Sequence, residues 1–233
     1  MYFACGSIER SRDAQYKFVT TAGIAIIKII HWTITECSFI IKIMRHKDDK
    51  KNQAICDAAI ELITANGFAD TSMSKIAKTA NVSPATIYVY FENKENLLNK
   101  IYLFVKQEMS AEILKGVNQN LSVEKAFKMI WNNYYQYAIK NPVRFAFTEQ
   151  FANSPMVDRI CKDESSSYFK PMLDLFNRGK EEKVFKEISL EIFTAFTFAP
   201  LTGLIKEHFS GALIFDEKML ETAYKIAWDA VTN

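Results

Sequence analysis

The chain has 233 residues, 49% of them hydrophobic and 24% charged, with a formal net charge of +2. That length can bury a sizeable core in one or two domains, and the composition is that of a soluble globular protein. With 7 Gly and 5 Pro it is poorly supplied for the turns of a β-rich fold, so an all-α fold is predicted.

Residues 1–43 differ from the rest. Gly23 to Ile43 is rich in Ile and Thr and reads as strand-like. As a membrane segment it is interrupted by Lys28, His31 and Glu36. As a signal peptide it offers Ala22 to Ile30 as an apolar region, with no clean cleavage site after it. A third reading takes Met44 as the true start and 1–43 as an upstream mis-start; if it is not, 1–43 is a disordered arm or a membrane anchor. All three stay open.

A first helix is expected from Asp48 to Asn66, with Ile55, Ala58, Ala59, Leu62 and Ile63 as its apolar stripe and Asn66-Gly67 as its end. Arg45, Lys47, Lys50 and Lys51 at its start suit either DNA backbone contact or a solvated charge cluster.

From Phe68 to Leu98 the spacing predicts two short helices, a tight turn between them and the start of a third. Thr71, Ser72 and Ser74 can cap the first, which carries Ile76, Ala77 and Ala80 inward. Asn81 suits a left-handed exit, and Val82 points inward. Ser83 caps the second short helix and Pro84 fits its first position. That helix turns Ile87 inward and Thr86, Tyr88, Val89 and Tyr90 outward. A short helix presented this way, with hydroxyls on its outer face, is the helix-turn-helix geometry for a DNA major groove.

The stretch resembles the DNA-binding domain of the TetR/AcrR family of bacterial transcriptional regulators. The likeness is carried by Phe68, Thr71, Ser72, Met73, Ile76, Ala77, Ala80, Val82, Ser83, Thr86, Ile87, Tyr88, Tyr90, Phe91, Lys94, Glu95, Leu97 and Leu98. It covers about 47 to 100. The chain departs from the family pattern at Asn81, where many members have Gly, and at Pro84-Ala85, where a basic residue and Gly are common. Val89 fills a position that is often polar. The DNA-contacting set expected from helix geometry and this resemblance is Thr71, Ser72, Ser83, Pro84, Ala85, Thr86, Tyr88, Tyr90 and Lys94. Of these, Tyr88, Tyr90 and Lys94 are assigned to phosphates. Residues 44–116 hold 10 Lys+Arg against 9 Asp+Glu, so affinity for DNA has to come from where charges point.

From Lys94 a long helix is expected to about Gly116. Residues 122–233 read as about five helices. They open at Ser122, at Asn141-Pro142, at Ser154-Pro155 (running to about Gly179), at Ser189 (to about Phe209) and at Asp216 (to Val231). This half is dense in aromatic residues, which suits either a packed core or a ring-lined ligand cavity. The candidate lining is Trp131, Tyr134, Tyr135, Phe147, Phe151, Phe169, Phe176 and Phe196. Phe193, Leu201, Leu204, Ile205, Ala223, Ala227 and Ala230 are candidates for a dimer interface, since the helix from Ser189 is apolar nearly all round.

No enzyme chemistry is legible. His31, His46 and His208 have no metal spacing to each other or to cysteine, and no G-x-S-x-G, phosphate-cradling loop or HExxH occurs. No cofactor or metal is expected. Cys5, Cys37, Cys56 and Cys161 read as unpaired thiols in a reducing cytoplasm. The expected organisation is an extension over 1–43, a three-helix DNA-binding domain over 44–98, and a helical ligand-binding and dimerisation domain over 99–233. The expected function is a homodimeric repressor on a palindromic double-stranded DNA operator, released by a small, mainly apolar effector. The alternative is a helical small-molecule-binding protein without specific DNA binding.

Overall fold

The computed structural model describes residues 50–152, 154 and 159–233, with backbone alone at 159–162. The chain divides into two units, Met1–Lys50 and Lys51–Asn233, and the packing that follows belongs to the second. The readings of 1–43, Arg45 and Lys47, and of a helix start at Pro155, fall outside the described residues.

Helix α1 spans 50–66. Ile55, Ala58, Ala59, Ile60 and Ile63 are buried on one side of it. It stops where Gly67 takes a left-handed φ of 78° and its N–H donates to the Ile63 carbonyl at 2.8 Å. Helix α2, Met73–Thr79, starts at Ser72, whose side chain accepts from the Lys75 N–H. Asn81 then swings to a φ of 54°, and the Val82 N–H reaches back to the Ala77 carbonyl at 2.9 Å. Helix α3, Pro84–Tyr90, is capped by Ser83 accepting from the Thr86 N–H. Asn93 caps α4, Lys94–Ile113, by accepting from the Asn96 N–H at 2.8 Å. Such caps contribute about 1 kcal/mol each to a helix end. The long helix closes at Ile113, one turn before Gly116.

Among the described residues seven helices follow rather than five: α5, Val123–Lys140; α6, Pro142–Ala152; α7, Arg159–Ser167; α8, Lys170–Glu181; α9, Leu190–Phe196; α10, Phe198–Phe209; and α11, Glu217–Val231. Proline accounts for both additional breaks. Pro171 sits at the first turn of α8, where its ring would clash with the residue 167 carbonyl of a continuous helix. Pro200 would do the same to the Phe196 carbonyl, and the chain breaks at Thr197, with φ −110° and ψ −74°. The buried Thr197 hydroxyl donates to the Phe193 carbonyl at 2.6 Å across that break. The described residues contain no strand, only an isolated bridge between Phe185 and Thr232.

Two apolar clusters hold the helices together. The first takes α1, α2, α3, the part of α4 up to Val105, and Phe147 and Phe151 of α6. The second starts at Met109 of α4 and takes α5, Phe145 of α6, and residues of α8 to α11. Both α4 and α6 therefore serve both clusters. Arg144 of α6 adds a polar tie. Its guanidinium pairs with Asp57 of α1 at 3.1 Å and with Glu108 of α4.

Candidate nucleic-acid interface and ligand cleft

Helix α3 buries Ile87 completely and leaves its other side open. Tyr88 is 57% and Val89 78% exposed, and Ser83, Pro84 and Ala85 at the helix start are exposed as well. Thr86 is half-buried and its hydroxyl lies 2.9 Å from the Ser83 hydroxyl. Ser72, at the start of α2, is exposed.

Thr71 sits differently from expectation, and Lys94 and Tyr90 are less open than Tyr88. Thr71 is 2% exposed, and its hydroxyl donates to the Gly67 carbonyl at 2.9 Å. It stitches the turn between α1 and α2 and offers nothing outward. Lys94 is half-buried and its ammonium donates to the Phe68 carbonyl, which leaves two of its three donors for anything else. Tyr90 is half-buried and its carbonyl accepts from Lys100 at 3.3 Å. Conversely, Val89 was outside the expected set and is the most exposed apolar side chain on α3. The signal was in the pattern, since Val89 falls on the outer side of a helix whose inner side is Ile87.

These elements match known proteins. Residues 55–101 match a family model described as bacterial regulatory proteins, tetR family. Residues 122–232 match one described as tetracyclin repressor-like, C-terminal domain. The chain belongs to the TetR family of bacterial transcriptional regulators. It is similar to a crystal structure of a TetR family transcription regulator from Marinobacter aquaeolei VT8, with a TM-score of 0.77 and 27% identity, over 81% of this chain and 99% of that one. It is 26% identical over 191 residues to an uncharacterized HTH-type transcriptional regulator of Haemophilus influenzae, covering 81% of this chain and 99% of the relative. It is 25% identical over 127 residues to the biofilm operon icaADBC HTH-type negative transcriptional regulator IcaR of Staphylococcus epidermidis, covering 50% of this chain and 68% of that protein. The family and these relatives are transcriptional regulators, not enzymes. Among the described residues no helix is long and apolar enough to cross a membrane.

In the C-terminal half of this TetR-family chain a cleft of about 830 Å³ opens between α4, α5, α6, α7, α8, α9 and α10. Tyr134 and Phe169, of the eight expected rings, line it. Burial pushes the Tyr134 phenol well above its ordinary range, and its hydroxyl pairs with that of Thr202 at 2.6 Å. The other six rings do not reach the cleft. Trp131, 1% exposed, packs on Phe198 and Tyr224 at 6.0 Å each. Tyr135 points to Phe215 and donates to its carbonyl at 3.1 Å. Phe147 and Phe151 stack on each other at 5.6 Å in the first cluster. Phe176 is buried against Phe193 at 5.0 Å, and Phe196 is 58% exposed on the surface. Aromatic spacing on one helix says nothing about which neighbour each ring meets, which is why rings of the core and of the cleft looked alike. Tyr102, Lys106 and Met109 of α4 line the cleft and were not expected.

The dimer candidates also need correction. Phe193, Leu201, Ile205 and Ala227 are between 0% and 3% exposed, packed inside their own chain. Leu204 and Ala223 are half-buried, and Ala230 is exposed. The large apolar side chains left outward on these helices are Ile192 at 48%, Phe196 at 58%, Phe209 at 40%, Met219 at 38% and Ile226 at 66%, with Ala199 and Gly203 also exposed. A helix apolar all round did signal two buried sides, but the inner one is this chain's own core.

Proposed function

We propose that this TetR-family chain is a cytoplasmic, homodimeric repressor whose hold on a palindromic operator is released when a small, mainly apolar effector enters the α4–α10 cleft. The reading head is 44–98, and 99–233 binds effector and partner. One observation carries this: α4 has Asn93 and Lys94 beside α3 at one end and lines the cleft with Tyr102, Lys106, Met109 and Ile113 further along. A ligand that moves this helix moves the head attached to it. In a dimer the two heads must meet grooves about 34–36 Å apart, so a small displacement of either is costly. The exposed Ile192, Phe196, Ile226 and Ala230 supply the apolar surface for pairing two chains. Ser72, Ser83 to Thr86, Tyr88 and Val89 form the DNA-facing set, with Tyr88 and the remaining Lys94 donors on phosphates. The likeness to a negative regulator supports repression over activation.

The test is reciprocal. A gel shift with DNA upstream of the protein's own gene should show specific binding. An effector should lower that affinity by a coupling of about 1–3 kcal/mol, and operator should lower effector affinity by the same factor. Absence of specific binding to that DNA and to selected sequences would refute the repressor reading in favour of a ligand-binding protein without DNA specificity.

A further inference from the structure

We propose that the cleft selects an anionic amphiphile, a single carboxylate on an apolar body, whose head pairs with the ammonium of Lys106. The inference rests on the cleft being the effector site and adds the chemical class of its ligand. Lys106 stands on α4 between Tyr102 and Met109, on the side that faces the cleft. Its neighbours on that side are Tyr102 and Met109, both 5% exposed, and Ile113, 1% exposed. Lys106 itself is half-buried, and an ammonium set into an apolar wall with no hydrogen-bond acceptor is unusual. Its nitrogen lies 4.6 Å from the centroid of Phe169, a contact that replaces only part of the hydration it has lost. Among the described residues no oxygen accepts a hydrogen bond from it. Desolvation lowers the Lys106 pKa, and the charge of Glu149 opposes that fall.

Among the described residues the other charges lining the cleft already have partners. Lys170 is held by both oxygens of Asp174, at 2.7 and 2.8 Å. Glu149 and Asp163 are each engaged by another group. Among the described residues Lys106 is thus the lining cation positioned to receive a ligand charge. One ammonium matches one negative charge. A phosphate monoester, close to doubly charged, would bring a second charge beside Glu149, where among the described residues the other lining cation, Lys170, is already held by Asp174. The rest of the wall near Lys106 is apolar and includes Met109, Ile113, Leu173 and Phe198, which suits an alkyl or aryl body.

The experiment compares dodecanoate, dodecanol and dodecylamine by calorimetric titration of the full chain, below the concentration at which each aggregates. Dodecanoate should bind about tenfold or more tighter than dodecanol, the scale of a hydrogen bond to a charged group. Lys106→Met, which keeps the stem, should erase that preference while still binding dodecanol, and Lys106→Arg should retain it. Equal binding of dodecanoate and dodecanol by the unaltered protein, or tighter binding of dodecylamine, overturns the inference while leaving the cleft as a ligand site. An unchanged preference in Lys106→Met also overturns it. Binding of none of the three removes the cleft reading, and the inference with it.

Discussion

The Arg144 tie is the place where a change far from both cleft and DNA should alter their communication. Arg144→Met keeps an apolar stem near Phe104, whose ring lies 5.7 Å from the guanidinium carbon, and removes the ion pairs to Asp57 and Glu108. The Arg144 side chain is 23% exposed, while Asp57 and Glu108 are 54% and 42% exposed, so water screens each pair substantially. Exposed pairs of this kind contribute about 0.2–1 kcal/mol apiece. The two together should cost about 1 kcal/mol when lost, since the freed carboxylates can rehydrate. In a chain of this length that lowers the melting temperature by about 2–4 °C. The cost should be smaller in an Asp57→Asn background, because one pair is then already absent, and smaller in high salt. The functional expectation follows from where the tie runs. It joins α6, which contributes Thr148 and Glu149 to the cleft wall, to α1 of the reading head. Arg144→Met should therefore bind effector and operator separately much as before, yet show a reduced effect of one on the other. Calorimetry, denaturation in low and high salt, and operator titrations with and without effector measure all of this. A variant with unchanged melting temperature and undiminished effector–operator coupling would sink the argument.

Gly179→Ala should destabilise by about 1–3 kcal/mol, because its Cβ would lie 2.2 Å from the ring of Phe185, itself 1% exposed; wild-type stability in urea would contradict the packing described. Tyr88→Phe should weaken binding to all DNA sequences alike, whereas Val89→Ser should change preference chiefly where a thymine methyl is presented; a panel of operator variants separates the two outcomes. Thr71→Ala should cost about 1 kcal/mol in stability with no change in base preference; a shift in preference at constant stability would restore it as a DNA contact. Burial raises the Cys56 thiol from 9.0 to about 11, so at pH 8 it stays protonated and unreactive. Alkylation followed by mass spectrometry should modify Cys56 only once the protein is unfolded.

The reading head was the most legible part of the chain because local chemistry decides it. Ser72, Asn81, Ser83 and Pro84 each fix a helix end within a few residues, and the structure uses each at that end. Thr71 marks the limit of that logic. A hydroxyl near a helix start can turn outward to cap or inward to close the preceding turn, and the preceding Gly67 carbonyl took it. The breaks at Tyr168–Phe169 and Thr197 were missed although Pro171 and Pro200 announce them; apolar residues flank Thr197 on both sides, whereas the first break follows the polar run from Lys162 to Ser167. Ring and dimer residues were the least legible, since whether Phe147, Phe176 or Leu201 meets a cleft, a core or a second chain depends on helix neighbours distant in sequence. Lys106 was readable in principle. It interrupts the stripe of Tyr102, Met109 and Ile113, and a charge inside an apolar stripe marks a place where packing alone does not account for the residue.

The division of α4 and α6 between two apolar clusters has a bearing on how such a protein can be recombined. Phe145 belongs to one cluster, and Phe147 and Phe151, further along the same helix, to the other. A fragment cut at 98 would lack Ile101, Tyr102, Val105, Phe147 and Phe151, each at most 5% exposed in the intact chain. The head would be left with an uncovered hydrophobic floor and a strong tendency to aggregate. Grafting a new DNA specificity onto this protein therefore means exchanging the outward residues of α3 while leaving the floor intact. Exchanging a whole N-terminal block would require α4 and the underside of α6 to travel with it. Lineages that shuffle sensors and readers in this architecture are constrained to vary surfaces and to keep the seam.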